Sequence, residues 1–226
     1  MERCAGHRRQ PGGESPGPDW HTTARNRTPN VMPPTLIPLI LASASPRRAE
    51  LLRTHGYDFE IVPSHIPEEP QDHLTPPDLT LHHARNKARA IASIHPDRTV
   101  LGADTLVALD GECLGKPRDL EEAAGMLGRL SGRIHEVHTG VWIIRESDRM
   151  EAGFVETSRV RFHTLTRDHI DRYLAIAEPL DKAGAYAAQE SRESVVDCVE
   201  GSFTNVVGLP MERLASALGR FGIGGA

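Results

Sequence analysis

The 226-residue sequence predicts an α/β fold built on one mixed β-sheet. Short apolar runs, typical of strands, alternate irregularly with segments whose apolar residues recur at helical spacing. The pair Asp110-Gly111 separates two such runs and is typical of the tight turn of a β-hairpin. Because hairpins join antiparallel strands while crossover helices join parallel ones, we expect both orientations in the same sheet.

The first predicted elements follow from capping residues and apolar runs. Ser45 suits the position before a helix and Pro46 suits the first turn, so a helix is expected from there to His55. Gly56 is suited to end that helix because glycine accepts a left-handed backbone. The other elements predicted in this half are strands at residues 36–41, 59–63 and 100–109 and a helix at residues 78–93.

The second half of the chain is interpreted in the same way. Asp119 followed by Glu122 forms a capping-box pattern, which predicts a helix that reaches Leu130 and ends at Gly132. Thr166 is suited to cap a further helix that extends to residue 175. The remaining predicted elements are strands at residues 137–144, 155–162, 194–199 and 203–207 and an amphipathic helix from about residue 210.

Residues 1–34 differ in composition from the rest of the chain. They hold six of the 17 prolines, four glycines and scattered arginines, with almost no aliphatic side chains. Such a segment cannot bury enough apolar surface to offset its loss of conformational entropy, so we predict a disordered extension before one domain at residues 35–226. An Arg-rich transit peptide and a translation start at Met32 are the alternatives, and the acidic residues and prolines disfavour the first.

Composition excludes several classes of protein. No apolar run approaches the roughly 20 residues of a membrane-spanning helix, and the first thirty residues lack the apolar core of a signal peptide. A formal net charge of -5 argues against a general nucleic-acid-binding surface. The three cysteines are far apart, and the twelve histidines show no spacing typical of zinc ligands. We therefore expect a cytoplasmic protein that binds neither nucleic acid nor membranes.

Two arginines at the start of the first predicted helix indicate an anion site. Arg47 and Arg48 lie in its first turn, where the helix dipole and the free N–H groups favour negative charge. Cations are unfavourable there unless an anion joins them, as a phosphate chain bound by backbone amides, serine hydroxyls and Arg48 would do. The alternative is a plain helix start whose arginines extend into water.

Asp104 is a carboxylate inside an otherwise apolar predicted strand. An ionised carboxylate is unfavourable to bury without a partner, so it needs a cation, a hydrogen-bond network or a position at a cleft. Pairing across the turn at Asp110-Gly111 would bring Lys116 back towards Asp104. An aspartate at a strand end that accepts backbone N–H groups is the alternative.

Three weaker signals accompany these segments. Glu68 follows a predicted strand, Lys87 lies beside the apolar stripe of the second predicted helix, and a loop at residues 178–189 is long and rich in small residues. On sequence alone, a solvated acidic loop, a solvated lysine and a plain connection are the simpler interpretations. Loops of that length nevertheless often have a function.

Seven short motifs follow one another between residue 36 and the C-terminus. They are residues 41–48 (LASASPRR), 84–88 (ARNKA), 102–105 (GADT), 115–117 (GKP), 131–132 with 137–140 (SG and VHTG), 178–186 (EPLDKAGAY) and 207–210 (VGLP). In type and order they resemble the Maf family of nucleoside triphosphate pyrophosphatases. One such motif is weak evidence, whereas the ordered set is specific.

The resemblance implies an elongated mixed sheet flanked by helices, with a central cleft as in inosine triphosphate pyrophosphatases. It also implies hydrolysis of a nucleoside triphosphate between the α and β phosphates, with Mg²⁺ or Mn²⁺ as cofactor. Asp104 matches the family's proton acceptor and, with Glu68, its metal site; Glu69 is the alternative ligand, although spacing favours Glu68. The positions that match substrate-binding residues are Ser43, Arg48, Lys87, Lys116 and Lys182.

Three positions resemble the members of that family that act on dTTP and UTP. Arg47, Thr105 and Gln189 stand where those members have Arg, Thr and Gln, and a glutamine amide suits the imide edge of uracil or thymine. Residues 187–190 (AAQE) depart from the family's usual glycines and add a negative charge. We expect a dTTP/UTP pyrophosphatase. A 7-methyl-GTP pyrophosphatase and a nucleotide-binding regulator of septum formation are the alternatives, and a homodimer is left open.

Overall fold

The computed structural model describes residues 39–69, 71, 73–189 and 195–225. Seven strands in these ranges form one sheet. They are β1 (Leu39–Leu41), β2 (Phe59–Ile61), β3 (Thr99–Leu109), β4 (Glu112–Leu114), β5 (Ile134–Arg145), β6 (Met150–Phe162) and β7 (Val196–Glu200). Neighbouring strands follow the order β2-β1-β3-β5-β6-β7, and β4 pairs with β3.

Six helices of the described residues accompany the sheet. They are α1 (Pro46–Thr54), α2 (Pro76–Ala92), α3 (Leu120–Leu130), α4 (Arg167–Ile176), α5 (Phe203–Val207) and α6 (Met211–Gly219). Two single-turn 3-10 segments, Pro179–Asp181 and Ala183–Ala185, follow α4. Within the described ranges, every helix is too short or too polar to cross a membrane.

The sheet is mixed, as the sequence predicts. β1 pairs in parallel with β2 and β3, and the two connections contain α1 and α2. From β3 onward the pairings are antiparallel. Asp110 and Gly111 have φ values of 54° and 83° in the turn between β3 and β4, which confirms the predicted hairpin. The predicted α/β class is therefore confirmed.

Several predicted boundaries shift. β5 and β6 start earlier than predicted, because their register extends over the whole of β5 and local sequence patterns do not show it. α3 and α4 begin where the capping residues indicate: Asp119 accepts a hydrogen bond from the Glu122 N–H and Thr166 accepts one from the His169 N–H. The predicted disordered extension and the outer ends of two predicted strands (residues 36–38 and 194) lie outside the described residues.

Residues 203–207 form helix α5, so the strand predicted there is wrong. Ser202 caps this helix by accepting a hydrogen bond from the Asn205 N–H at 3.1 Å. The buried Asn205 side chain then donates to the Val137 carbonyl and the Ser158 hydroxyl, each at 3.0 Å. These long-range bonds stabilise a short helix against the strand preference of its valines.

The two faces of the sheet have different coverings. Leu39 and Leu41 of β1 pack with α1 and α6, whereas Ile40 between them packs with α2. Because successive side chains of a strand point to opposite faces, α2 lies on the face opposite α1 and α6. A third apolar cluster joins α3, α4 and residues 185–188 to the far parts of β3, β5 and β6.

Helix α2 lies very close to β3 and β5 because the residues beneath it are glycines. A Cβ at Gly102 would lie 2.2 Å from the Ala84 backbone oxygen, and one at Gly140 would lie 2.4 Å from the Thr80 carbonyl carbon. Gly140 pairs directly with Asp104 across the two strands. Side chains of α2 can therefore reach Asp104 from above the sheet.

We expect Gly102→Ala to lower the free energy of unfolding by about 2 kcal/mol or more, because the added methyl group overlaps the backbone of α2. Urea unfolding followed by circular dichroism measures this loss. Gly125→Ala in α3 is the matched control, since its Cβ would meet nothing within 4 Å and alanine favours a helix by about 0.5–1 kcal/mol. Equal stabilities of the two variants would contradict the close approach of α2.

His135 on β5 is a buried ionisable group inside the third cluster. Its ring packs edge-on against Phe162 and Tyr186, and Nε2 lies 2.8 Å from the Tyr186 hydroxyl. The other ring nitrogen, Nδ1, has no hydrogen-bond partner among the described residues. Burial lowers the pKa of His135 to about 4, so the folded protein holds this ring neutral near neutral pH.

Acid should therefore destabilise the fold through His135. The unfolded chain takes up a proton there near pH 6.5 and the folded chain only near pH 4, so stability falls as the pH drops between these values, by about 2 kcal/mol from pH 7 to pH 5. Urea unfolding at both pH values measures this decrease in the wild type and in His135→Phe. The variant should lose the part of the decrease that His135 contributes. The exposed His163→Phe is the control; a pH dependence in His135→Phe equal to that of the wild type would contradict the assignment.

Candidate active site

A pocket of about 400 Å³ lies where several separate parts of the chain converge. Its walls come from the start of α1, the loop after β2, the middle of α2 and β3, the segment after β4, the start of β5, the segment after α4 and the end of α5. This volume suits a small-molecule ligand. The structure brings all of the predicted site residues to its wall: Ser43, Arg47, Arg48, Glu68, Lys87, Asp104, Thr105, Lys116, Lys182 and Gln189. Their roles stay predictions.

Both carboxylate oxygens of Asp104 form hydrogen bonds with side chains of α2. Lys87 Nζ lies 2.7 Å from Oδ1, and His83 Nδ1 lies 3.1 Å from Oδ2. Lys87 also donates to Glu68 Oε1 at 2.6 Å, so one ammonium group links two carboxylates. His83 and Lys87 are four residues apart and share one helix face. Of the partners that the sequence allows for a buried Asp104, α2 thus supplies a cation and a hydrogen bond.

The charge of Asp104 is stabilised despite its burial. Burial by itself would raise the pKa of this carboxyl, but the hydrogen bond from His83 and the positive charges of Lys87 and Arg48 outweigh it and lower the pKa well below the usual range. The hydrogen bond to Asp104, opposed by burial and aided by a bond to the Glu69 carbonyl, raises the pKa of His83. Asp104 is therefore an ionised acceptor at the wall of the pocket.

Arg48 is a buried cation whose described hydrogen bonds go to uncharged groups. Nε donates to the Gly208 carbonyl at 3.1 Å, Nη1 to the Ser43 hydroxyl at 3.0 Å and Nη2 to the Thr105 hydroxyl at 3.0 Å. Burial lowers the pKa of Arg48, against the attraction of Asp104 and Glu68, but an arginine keeps its charge in a protein. A fixed guanidinium at the N-terminal turn of α1 is suited to an anion.

Two further cations of the pocket wall, Arg47 and Lys182, are paired with Asp181. Arg47 Nη1 lies 3.0 Å from Asp181 Oδ2, which connects the start of α1 to the segment after α4. Lys182 is buried, and its Nζ donates to Asp181 Oδ1 at 2.9 Å. Lys116 and Gln189 are exposed at the pocket wall. The hairpin therefore brings Lys116 to the pocket of Asp104, as its register predicts.

Without the family resemblance, the sequence does not identify His83 as a site residue and predicts that Lys87 is exposed to solvent. The two side chains are buried because α2 lies directly on Gly102 and Gly140. The spacing of four residues between His83 and a lysine assigned to phosphate is the signal that could have found the histidine. The structure also separates the two glutamates: the Glu68 carboxylate meets Lys87, whereas the next residue offers its backbone carbonyl to His83.

Comparison with known protein families identifies the chain. The family described as "Maf-like protein" matches residues 38–221. The chain belongs to the Maf family. The resemblance seen in the seven motifs is thereby confirmed over nearly all of the described residues.

Three Maf relatives are similar over almost their entire lengths. The chain is 46% identical over 185 residues to the dTTP/UTP pyrophosphatase of Bacillus pumilus, which covers 82% of this chain and 97% of that protein. It is 44% identical over 186 residues to the dTTP/UTP pyrophosphatase of Desulforamulus reducens, with coverage of 82% and 97%. It is 46% identical over 184 residues to the dTTP/UTP pyrophosphatase of Symbiobacterium thermophilum, and the alignment covers 81% of this chain and 94% of that protein.

Two solved structures are more distant from this Maf chain. The Ham1 protein of Staphylococcus aureus has a TM-score of 0.45 at 15% identity, over 80% of this chain and 98% of its own. A HAM1 protein of Coxiella burnetii has a TM-score of 0.41 at 15% identity, with the same coverage.

Arg48→Lys should weaken the binding of inorganic tripolyphosphate by about tenfold or more, because lysine keeps the charge but cannot keep three directed hydrogen bonds. Isothermal titration calorimetry without added metal measures the dissociation constant. Arg53→Lys, at the exposed end of the same helix, is the matched control and should bind as the wild type does. Identical affinities of the Arg48→Lys variant and the wild type would exclude Arg48 from the anion site.

Proposed function

We propose that this Maf-family protein hydrolyses dTTP and UTP to the nucleoside monophosphate and pyrophosphate. The observation that carries the proposal is an ionised Asp104 in a pocket whose described wall has five cationic and three anionic side chains. The excess positive charge fits a polyphosphate, and the carboxylate fits an acceptor for the proton of a water molecule. The relatives named dTTP/UTP pyrophosphatase support the substrate, since they align over almost their whole lengths.

The triphosphate is expected to bind along the cationic side of the pocket. Arg48 and the hydroxyl of Ser43 would meet it at the start of α1, and Lys116 and Lys182 would meet it from the segments after β4 and after α4. Charge-assisted hydrogen bonds to phosphate oxygens are short and stronger than neutral ones. Lys87 has three N–H donors and uses two on carboxylates, so a phosphate oxygen could take the third.

The donor set of the pocket fits a divalent cation, Mg²⁺ or Mn²⁺. Glu68 and Asp104 present two carboxylates to the same Lys87 Nζ, and Mg²⁺ usually binds one or two carboxylates together with substrate phosphates. In the described part of the chain, groups of three or more His, Cys, Asp or Glu side chains able to hold a metal are absent, which fits an ion that arrives with the nucleotide. When bound, such an ion neutralises charge on the phosphates.

Asp104 is the proposed proton acceptor of the reaction. The oxygen of a water molecule bonds to the α phosphorus, the bond from that phosphorus to the bridging oxygen breaks, and pyrophosphate leaves. Asp104 accepts the proton that the water loses. Lys87 and Arg48 stabilise the negative charge on the phosphate oxygens as the bonds change.

The residues proposed to select the base differ in how many of their hydrogen-bonding groups are available to a ligand. Gln189 is exposed at the pocket, where its amide can both donate to and accept from the imide edge of a pyrimidine. Thr105 is less free: it accepts from Arg48, and its hydroxyl lies 3.0 Å from Thr139, whose own hydrogen is donated to the Asn205 carbonyl. The Thr105 hydrogen therefore goes to Thr139, and Thr105 acts on the substrate through Arg48.

A pyrophosphate-release assay with Mn²⁺ across dTTP, UTP, CTP and 7-methyl-GTP tests the proposal. We expect higher kcat/KM for dTTP and UTP than for the other two nucleotides. Asp104→Asn should lower kcat by a factor of about 10² to 10⁴, because the amide cannot accept the proton, while dTTP binding is retained. Asp97→Asn, in the exposed connection between α2 and β3, is the matched control.

Each alternative has its own outcome in this assay. Near-normal hydrolysis by Asp104→Asn would remove that residue from the mechanism. A clear preference for 7-methyl-GTP would replace the pyrimidine assignment. Nucleotide binding without release of pyrophosphate would favour a regulatory protein over an enzyme.

A further inference from the structure

His83 connects the two segments that hold the carboxylates of the pocket. Its Nδ1 lies 3.1 Å from Oδ2 of Asp104 on β3, and its Nε2 lies 3.1 Å from the backbone oxygen of Glu69 in the loop after β2. Both partner atoms are acceptors, so a ring nitrogen can bond to either of them only by donating its hydrogen. One buried side chain of α2 thus joins the strand that carries Asp104 to the loop that carries Glu68.

Lys87 joins the same two segments, but in a different way. It binds the Glu68 side chain and the other oxygen of Asp104, and its Nζ lies at the wall of the pocket. A bound polyphosphate or cation would compete for Lys87 and for the carboxylates that it bridges. His83 is not among the residues that line the pocket, so a ligand held there does not compete for it directly.

We propose that His83 is a positioning residue of this site: it sets the orientation of the Asp104 carboxylate and the place of the Glu68 loop, and it acts on the reaction only through them. This inference rests on the proposed hydrolysis of nucleoside triphosphates. The contact with Asp104 bears on the acceptor of the water proton and hence on kcat. The contact with Glu69 bears on the cation and phosphate side of the pocket and hence on KM.

The preceding residue on the same helix has a different environment. His82 is exposed, and the partner described for its ring is Asn86 one turn later on α2. A histidine that joins two distant segments is therefore next to one whose hydrogen bond stays within the helix. His82 is the matched control for any substitution at position 83.

Two amide side chains can separate the two contacts of His83. The amide nitrogen of asparagine lies near the position of Nδ1 and that of glutamine near the position of Nε2, so His83→Asn can keep the bond to Asp104 and His83→Gln the bond to Glu69. His83→Leu keeps volume and loses both bonds. The same three changes at His82 serve as controls.

Steady-state hydrolysis of dTTP with Mn²⁺ gives the first measurement. We expect His83→Leu to lower kcat at least 30-fold and to raise KM at least fivefold. His83→Asn should keep kcat within about threefold of the wild type but share the raised KM, and His83→Gln should show the reverse. The variants at His82 should match the wild type in both constants.

Hydrogen exchange of the amides in residues 64–69, measured without nucleotide or metal, gives a second and independent measurement. Exchange should be at least tenfold faster in His83→Leu and His83→Asn and unchanged in His83→Gln. If the wild type releases no pyrophosphate from any nucleotide, the proposed function fails, and this exchange pattern still decides whether His83 holds the loop. Equal exchange in all variants, or a loss of kcat that follows thermal stability without the Asn/Gln split, would overturn the inference.

Discussion

The negative charge of Asp104 inside the sheet is the constraint on which the rest of this structure depends. A buried carboxylate without partners would be unfavourable by several kcal/mol, so the fold has to bring cations to it. Lys87 and His83 do so from α2, and they reach Asp104 because the strands beneath that helix have glycines where side chains would separate the two layers. The packing of one helix is thus part of the electrostatics of the pocket.

Because buried charges need partners, most cations of the pocket form ion pairs with carboxylates, and a ligand can replace one member of such a pair. Lys87 forms salt bridges with Glu68 and Asp104, and Arg47 forms one with Asp181. Arg48 is different, because its hydrogen bonds go to a carbonyl and two hydroxyls. A polyanion that enters such a pocket meets Arg48, whose described hydrogen bonds involve no carboxylate, and Lys87 and Arg47, whose ion pairs it can rearrange. These cations are the electrostatic basis of the proposed phosphate chemistry.

Most elements with a strong local signal are predicted correctly. The Asp110-Gly111 turn and the cap at Asp119 act on the backbone within three or four residues, so the sequence around them contains what they need. Residues 203–207 show the limit of this reasoning. Their valines favour a strand locally. The hydrogen bonds from Asn205 to β5 and β6, which are far away in the sequence, stabilise a helix instead.

The family of this protein can be read from its sequence, because the residue types and the order of the motifs are specific, and the same motifs name the candidate residues around the pocket. Which of them are buried, and how they pair, depends on the three-dimensional fold: Lys87 lies between two carboxylates, Arg48 donates to uncharged acceptors, and His83 bonds to Asp104. The physical reason is that motif and capping signals act over a few residues, whereas burial and ion pairing depend on which distant segments come into contact. A lysine or histidine on a helix face has the same local sequence in water as in a site.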